Sequence, residues 1–213
     1  MSKRLEIYRP ISPWYVSQYF GEAKACIDAN NKVVGKIGGI CPQGYEDLYQ
    51  KWGLAGHTGL DIPAQRWQPI YSATDGIVEE LETEPERGLG IGIISDEKFA
   101  FHNGEYFAKV RYWHLAAMNV VRGQKVGVGQ LIGWIDNTGY SGGDHLHFEL
   151  KPVLQDTSGR WYNIEQDNGF YGAIDPNPYV MIQSAYSLRT AFEKLKAQLS
   201  ELMNRLQDFL NRR

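Results

Sequence analysis

Short segments rich in β-forming residues, separated by Gly, Asn or Asp, make up most of this 213-residue chain. Such segments predict strands joined by tight turns, because Gly, Asn and Asp accept the backbone angles that turns need. Their spacing favours antiparallel pairing, so the fold class that we predict is mainly β, an antiparallel β-sheet or sandwich. The predicted strands lie within residues 69–78, 90–94, 107–113, 131–135 and 145–150.

The composition changes after Pro178. Residues 184–211 contain no Gly or Pro, and apolar side chains recur there at spacings of four and three. This rhythm predicts a C-terminal amphipathic α-helix with a heptad seam, as in a coiled coil. We therefore divide the chain into a domain over residues 1–183 and a helix over residues 184–213. The seam consists of Leu188, Phe192, Leu195, Leu199, Leu202, Leu206 and Phe209.

The seam of this helix needs an apolar partner, which is either the chain's own domain or a second copy of the chain. Helices that pack on a globular core usually present a wider apolar face than a coiled-coil seam. Here only Ala191, Met203 and Leu210 widen the seam. The pattern favours a homo-oligomer formed through residues 184–213, with packing onto the domain as the alternative.

Composition limits the classes to which the protein can belong. With 43% hydrophobic residues, the chain can bury one core, and two full domains are not expected. The net charge is −3, and no Lys/Arg cluster is interleaved with aromatic residues, so no nucleic-acid partner is expected. No transmembrane segment is expected either, because no stretch reaches the roughly 18 to 20 apolar residues that span a bilayer.

Four of the five histidines fall in three short segments. A catalytic zinc ion takes three N or O ligands from the protein and leaves a fourth position open. His57, Asp61 and one of His145 and His147 would supply such a set, and two histidines would remain for proton transfer. No cysteine lies in the three segments, which favours a hydrolytic over a structural zinc site. The segments are residues 56–61, 112–115 and 145–149.

The spacing of these residues is consistent with their meeting at one metal ion. Alternation along a strand would place His145 and His147 on one face. On an extended strand, His57 and Asp61 would lie roughly 13 Å apart, whereas two ligands of one zinc ion lie only about 3 to 4 Å apart. A bend is therefore required between them, and Gly59 is the residue able to make it.

Chance matches are the alternative interpretation. A lone His-x-x-x-Asp pair or a single His-x-His is common, but their conjunction is much less so. His102 provides a contrast, because it precedes Asn103 and Gly104, a hairpin-turn signal. We interpret His102 as a turn residue without a role in chemistry.

Residues 56–152 resemble peptidase family M23, the lysostaphin and LytM type of zinc endopeptidase that cuts peptide cross-links in bacterial cell walls. A weaker match continues at residues 174–179. The matching motifs are His57-x-x-x-Asp61, Pro69-Ile70-Tyr71-Ser72-Ala73-Thr74-Asp75-Gly76-Ile77-Val78, Tyr112-x-His114-Leu115, Gly123-Gln124-x-Val126-x-x-Gly129-Gln130-x-Ile132-Gly133, and Thr138-Gly139-Tyr140-Ser141-Gly142-Gly143-x-His145-Leu146-His147-Phe148-Glu149.

The resemblance implies a LytM-like metallopeptidase domain with one zinc ion per chain. It implies that His57, Asp61 and His147 bind the metal, and that His114 and His145 are the catalytic histidines. No ligand or catalytic position is missing, which argues against the degenerate members of the family that only activate other enzymes.

Three further side chains near these motifs have open roles. Tyr112 would share a strand face with His114, so it lines the substrate groove or belongs to the core. Tyr140, in the loop before His145, is a second candidate for substrate binding. Glu149 would share a face with the paired histidines, and it either orients an imidazole or is a surface carboxylate.

The sequence departs from the family pattern in two places. Residues 21–54 form an insertion before the first ligand, and a long polar stretch lies between Gly76 and Tyr112. Both fall where the groove walls are expected, so we predict that the insertion forms one wall of the cleft. Cys26 and Cys41, both in the insertion, are either a disulfide or free thiols.

The function that we predict is zinc-dependent endopeptidase hydrolysis of peptide cross-links in bacterial peptidoglycan. The alternatives are a non-catalytic LytM-like scaffold or virion structural protein that acts through its helix, and an enzyme for another peptide or an ester. No signal peptide is visible, because residues 1–10 lack an apolar region. We therefore expect action on the cell wall after phage-mediated release or as part of a virion.

Overall fold

The computed structural model describes residues 4–102 and 104–211, without the side chains of Arg205 and of residues 208–211. Most elements are strands, as predicted. The elements are β1 (Ile7–Arg9), β2 (Ala25–Ile27), β3 (Val33–Gly35), β4 (Glu46–Asp47), α1 (Leu48–Lys51), β5 (Leu60–Pro63), β6 (Pro69–Tyr71), β7 (Gly76–Glu84), β8 (Gly88–Phe101), β9 (Gly104–Met118), β10 (Lys125–Val126), β11 (Leu131–Ile135), β12 (His145–Gln155), β13 (Trp161–Asn163), a 3-10 turn (Asn177–Tyr179), β14 (Val180–Ser184) and α2 (Ala185–Asn211).

The large sheet follows the order β10-β7-β8-β9-β11-β6, and β12 adds to it by pairing with β9, β5 and β13. Every pairing in this sheet is antiparallel. The predicted mainly β, antiparallel fold class with a C-terminal helix is therefore confirmed. A separate pair, β1 with β14, is parallel and joins the two ends of the domain.

The two faces of the central strands bury different kinds of side chain. One face carries the apolar core, in which the ring of Phe148 lies 5.5 Å from that of Tyr112 and 6.1 Å from that of Trp14. The other face carries buried ion pairs, including Arg111 with Glu149 at 2.9 Å. Fully buried members of the core include Leu60, Ile62, Ile91, Ile93, Val110, Leu146 and Leu150.

Glu149 belongs to this buried charged face. Its carboxylate contacts Arg111 and, at 3.6 Å, Lys151, and its side chain is 1% exposed. Both roles considered from the sequence are therefore corrected. Glu149 is not a surface carboxylate, and its close contacts are to cations rather than to an imidazole, because β9 supplies Arg111 and β12 itself supplies Lys151 on the same face.

The insertion forms a small sheet of its own, in which β2 pairs with β3 and β4. A disulfide joins Cys26 to Cys41. Asp47 ends β4 and caps α1 by accepting hydrogen bonds from the backbone N–H groups of Tyr49 and Gln50. The cap turns the chain from the small sheet back towards His57, and Tyr49 is buried there.

Helix α2 confirms the predicted C-terminal helix, but from Phe192 onwards its seam does not pack on the domain, whereas Leu188 near its start is half-buried. The exposed fractions of Phe192, Leu195, Leu199 and Leu202 are 59%, 65%, 58% and 62%. The side chain of Phe209 lies outside the described residues. The structure thus contradicts packing of the seam onto the chain's own domain, the alternative left open by the sequence.

Two smaller expectations concern a turn and the membrane. His102 lies in the β8–β9 turn with its side chain 67% exposed, and Asn103 of the predicted turn signal lies outside the described residues. In the parts of the chain that are described, no helix is long and apolar enough to cross a membrane.

Candidate active site

Strand pairing brings the four site histidines and Asp61 together. β5 pairs with the start of β12, and Asp61 lies opposite His147 in that register. His57 lies just before β5 and is held by backbone hydrogen bonds to Gly21 and Glu22. The glycine at position 59 is required by contact, because a Cβ there would lie 2.4 Å from the carbonyl oxygen of Phe148.

Three potential ligand atoms converge at this point. Nε2 of His57 lies 2.8 Å from Nδ1 of His147 and 2.9 Å from Oδ1 of Asp61, and the remaining edge measures 3.0 Å. These separations are close to the roughly 3 Å edges of a tetrahedral zinc site. His57, Asp61 and His147 could therefore hold a metal ion, and they are the residues to which the resemblance assigned that role.

The outer contacts of the two histidines fit a metal. Nδ1 of His57 lies 3.3 Å from the carbonyl oxygen of Tyr19, and Nε2 of His147 lies 3.3 Å from the hydroxyl oxygen of Thr58. When each outer nitrogen donates its proton to that oxygen, the inner nitrogen carries a lone pair. Two nitrogen lone pairs and the Asp61 carboxylate then face one another, an arrangement that a bound cation would stabilise.

The environment of the site shifts the pKa values of Asp61 and His147. Burial by itself would raise the pKa of Asp61, but His57 and His145 hold it well below its usual range. Burial lowers the pKa of His147, and the contact with Asp61 opposes that shift. An ionised carboxylate beside neutral imidazoles is the protonation state in which these residues bind metal.

His114 and His145 lie beside this group, with ring centres 4.6 Å apart. Nδ1 of His114 donates to the carbonyl oxygen of Thr138 at 2.6 Å, and Nδ1 of His145 donates to that of Gly143 at 2.8 Å. Burial lowers the pKa of His114 to about 3. Burial also lowers the pKa of His145, but Asp61 outweighs it and raises the pKa overall.

The predicted substrate-binding role of Tyr112 is wrong. Its side chain is fully buried, and its hydroxyl oxygen accepts a hydrogen bond from the backbone N–H of Ala73 at 2.8 Å. His114 has φ +64°, outside the strand region, so the alternation that would have placed it beside Tyr112 is broken. Trp113 and His114 therefore both line the cleft, whereas Tyr112 belongs to the core.

The site opens into a cleft of about 850 Å³. The insertion forms one wall of it, as predicted, through side chains such as Val34, Tyr49 and Trp52. The ring of Tyr140, on the opposite loop, lies 6.1 Å from the ring of Trp52. Tyr140 thus lines the cleft, and its role in substrate binding stays a prediction.

Sequence reasoning missed four residues near the cleft: Thr58, Trp52, Arg87 and Trp113. Thr58 and Trp113 occupy variable positions inside the motifs, directly after His57 and directly before His114. The sequence signal that could have identified Thr58 and Trp113 is that each is adjacent to a histidine of a motif. No pattern in the sequence singled out Arg87 or Trp52, which reach the cleft through the fold of the β7–β8 hairpin and of the insertion.

Comparison with known proteins identifies the family. The model of Peptidase family M23 matches residues 55–163, just over half of the chain. The chain belongs to peptidase family M23. The match includes all five residues assigned above as ligands or catalytic histidines.

Two relatives of this M23 chain are named endopeptidases, and it matches each over part of its length. Peptidoglycan DD-endopeptidase ShyA of Vibrio cholerae is 37% identical over 97 residues, 46% of this chain and 20% of that protein. Glycyl-glycine endopeptidase ALE-1 of Staphylococcus capitis is 36% identical over 94 residues, 44% of this chain and 24% of that protein. The matched region thus spans about a quarter or less of either relative.

Among solved structures, the catalytic domain of lysostaphin from Staphylococcus simulans is 28% identical, with a TM-score of 0.45. The match covers 59% of this chain and 79% of that one.

Proposed function

We propose that this chain is a zinc-dependent endopeptidase that hydrolyses peptide cross-links in bacterial peptidoglycan, with one zinc ion per chain. The observation that carries the proposal is the set of three ligand atoms within 3.0 Å of one another, beside two further histidines. The activities for which the relatives are named, DD-endopeptidase and glycyl-glycine endopeptidase, support it. Action on the cell wall is part of the proposal, and release by a phage or transport in a virion stays a prediction from the sequence.

The residues divide the work of peptide hydrolysis between them. His57, Asp61 and His147 would hold zinc, which supplies Lewis-acid chemistry by acidifying water and polarising a carbonyl group. His114 and His145 each donate Nδ1–H to a backbone carbonyl, so proton transfer would use Nε2, which in His145 lies 3.4 Å from Oδ1 of Asp61. One of them accepts the proton of the attacking water, and the other donates to the developing oxyanion or the leaving amine.

Glu149 is the glutamate nearest in sequence to the proposed ligands, but it is not available as a base. Glu149 is fully buried, and Arg111 and Lys151 hold the pKa of its carboxyl below its usual range against the effect of burial. An ionised carboxylate paired with two cations is a poor proton acceptor. The proton acceptor is therefore assigned to one of the two histidines beside the ligand atoms rather than to Glu149.

The alternative of a non-catalytic scaffold acting through α2 is not favoured. Such a protein would have no need for five converging ionisable side chains at the floor of a cleft. The third candidate, an enzyme for another peptide or an ester, differs only in substrate, and the experiment below distinguishes it.

Zinc content and hydrolysis of purified peptidoglycan test the proposal together. We expect one zinc ion per chain and release of peptide fragments whose masses identify the bond that is cut. His57→Ala and His147→Ala should lose both zinc and hydrolysis, because two ligands do not hold the ion. His102→Ala, an exposed histidine in the β8–β9 turn, is the matched control and should keep both. Full zinc occupancy in either ligand variant would contradict the assignment.

A further inference from the structure

One cation in the cleft lacks a close ionic partner. Among the described residues, the basic side chains that line the cleft are Lys24 and Arg87. Lys24 pairs with Glu22 at 2.7 Å, whereas the one carboxylate within 4.0 Å of Arg87 among the described residues is that of Glu84, at 3.8 Å from Nε. In the described part of the chain, the Arg87 guanidinium makes no hydrogen bond.

The other cations on this side of the sheet are neutralised. Arg111 contacts Glu80, Glu82 and Glu149 at 2.8 to 2.9 Å. Lys151 pairs with Glu149 at 3.6 Å and donates a hydrogen bond to a backbone carbonyl. Lys109 pairs with Glu79 and Glu80. The acids of the buried network are thus contacted directly by other cations, and Arg87 acts on one of them, Glu149, only at a distance.

Arg87 is fixed next to the residues that carry the chemistry. The backbone N–H of His114 donates to its carbonyl oxygen at 3.4 Å. Its guanidinium carbon lies 5.4 Å from the ring centre of Trp113, a cation–π contact. Trp113 lies opposite His147 in the pairing of β9 with β12. A Cβ on Gly90 would lie 2.2 Å from Cε3 of Trp113, so this glycine is what allows the ring to lie where it does.

From these contacts we infer that Arg87 binds a carboxylate of the substrate next to the scissile peptide bond. A guanidinium group presents paired N–H donors that match the two oxygens of a carboxylate. The cleft is also lined by the acidic residues Glu84, Glu86 and Asp144. Their charges disfavour the binding of an anionic group at places in the cleft other than Arg87. The substrate class is then a peptide with a free carboxylate beside the bond that is cut. This inference rests on the proposed function and narrows it.

The test uses soluble cross-linked peptides released from purified peptidoglycan, either untreated or with their carboxylates converted to amides. The untreated peptides should be cut with a kcat/KM about 10- to 100-fold higher, the range for a charged hydrogen-bonded pair. Arg87→Gln should lose most of that preference, and Arg87→Lys should keep part of it, because the charge remains without the paired donors. Arg160→Gln is the control, since Arg160 is 81% exposed and does not line the cleft.

The outcomes separate this inference from the proposed function. Equal rates on untreated and amidated peptides in the unmodified protein would overturn the carboxylate site and leave the peptidase activity standing. A zinc-loaded protein that cuts neither form would overturn the proposed function itself. A zinc-loaded Arg87→Gln variant that keeps the full preference would show that another group binds the carboxylate, and the assignment to Arg87 would be wrong.

Discussion

His114 and His145 lie beside the ligand atoms without belonging to the group that could hold a metal. We therefore expect His114→Ala and His145→Ala to retain zinc while turnover falls by roughly 10² to 10⁴, the contribution of a positioned proton-transfer group. Metal content by atomic absorption and initial rates on peptidoglycan measure both effects. Loss of zinc would make the altered residue a ligand, and a near-normal rate would remove it from the mechanism.

We propose that Thr58 positions His147 for its role as a metal ligand. Its hydroxyl oxygen lies 3.3 Å from Nε2 of His147, and the threonine is buried. Because outer partners of metal-bound histidines fix ring orientation, Thr58→Val should weaken zinc binding by roughly 10-fold or more. Thr58→Ser keeps the hydroxyl and should bind zinc nearly as well as the unmodified protein. Competition with a chelator measures both affinities, and equal affinity for Thr58→Val would show that the hydroxyl does not hold His147.

At the residue scale, motif spacing located the site but not the direction of every side chain. The spacing and the resemblance together indicated His57, Asp61 and His147, because β5 and β12 follow regular pairing there. The same regularity misplaced Tyr112. A positive φ at His114 is a local conformation of a non-glycine residue, and strand alternation cannot anticipate it.

At the element scale, the sequence showed strands more clearly where they carry apolar side chains. The run over residues 69–78 is divided into β6 and β7, with a bend between them that the composition did not reveal. The polar stretch after Gly76 forms most of β7 and the whole of β8. The acidic residues of this stretch made a strand difficult to predict. They pair with buried cations, such as Glu80 with Arg111, rather than face solvent.

The small sheet of the insertion should control substrate choice rather than metal binding. Cys26 lies opposite Asp47, so a short Gly-Ser linker can replace residues 25–47 and leave Glu22, which contacts His57, in place. We expect zinc to be retained, because the sheet supplies no ligand, and kcat/KM on peptidoglycan to change, because one cleft wall is lost. Zinc content and steady-state rates of the shortened chain measure the two effects. Unchanged kinetics on peptidoglycan would refute a role for this wall.

At the scale of the whole molecule, the far part of α2 has an apolar seam without a packing partner among the described residues. Its first turn is anchored, because Ala185 is buried and the ring of Tyr186 lies 5.0 Å from that of Tyr71. Beyond this turn, the exposed seam continues through Leu206, which is 51% exposed. A single exposed apolar residue needs no explanation, but a regular row along one helix face marks an interaction surface.

The occupant that the heptad pattern favours is the same helix of a second copy. We place Phe192, Leu199 and Leu206 at the a positions of the heptad. The e and g positions, which flank the seam, then hold Arg, Ala, Lys, Gln and Met residues. In a parallel pair, Ala191 then faces Lys196 and Gln198 faces Met203, so neither of these contacts joins two like charges. The acids Glu193 and Glu201 fall outside the flanking positions and do not oppose the pairing.

We therefore expect the full chain to be a dimer at micromolar concentration in sedimentation experiments. A chain ending at Thr190 should be monomeric yet zinc-loaded, because it keeps the anchored first turn and loses most of the seam. Leu199→Glu should also be monomeric, since it places a charge in the apolar interface, whereas Ser200→Glu adds the same charge outside the seam and should stay dimeric. A full chain that sediments as a monomer would show that the seam does not pair with a second copy, and its partner would then be sought among other helices.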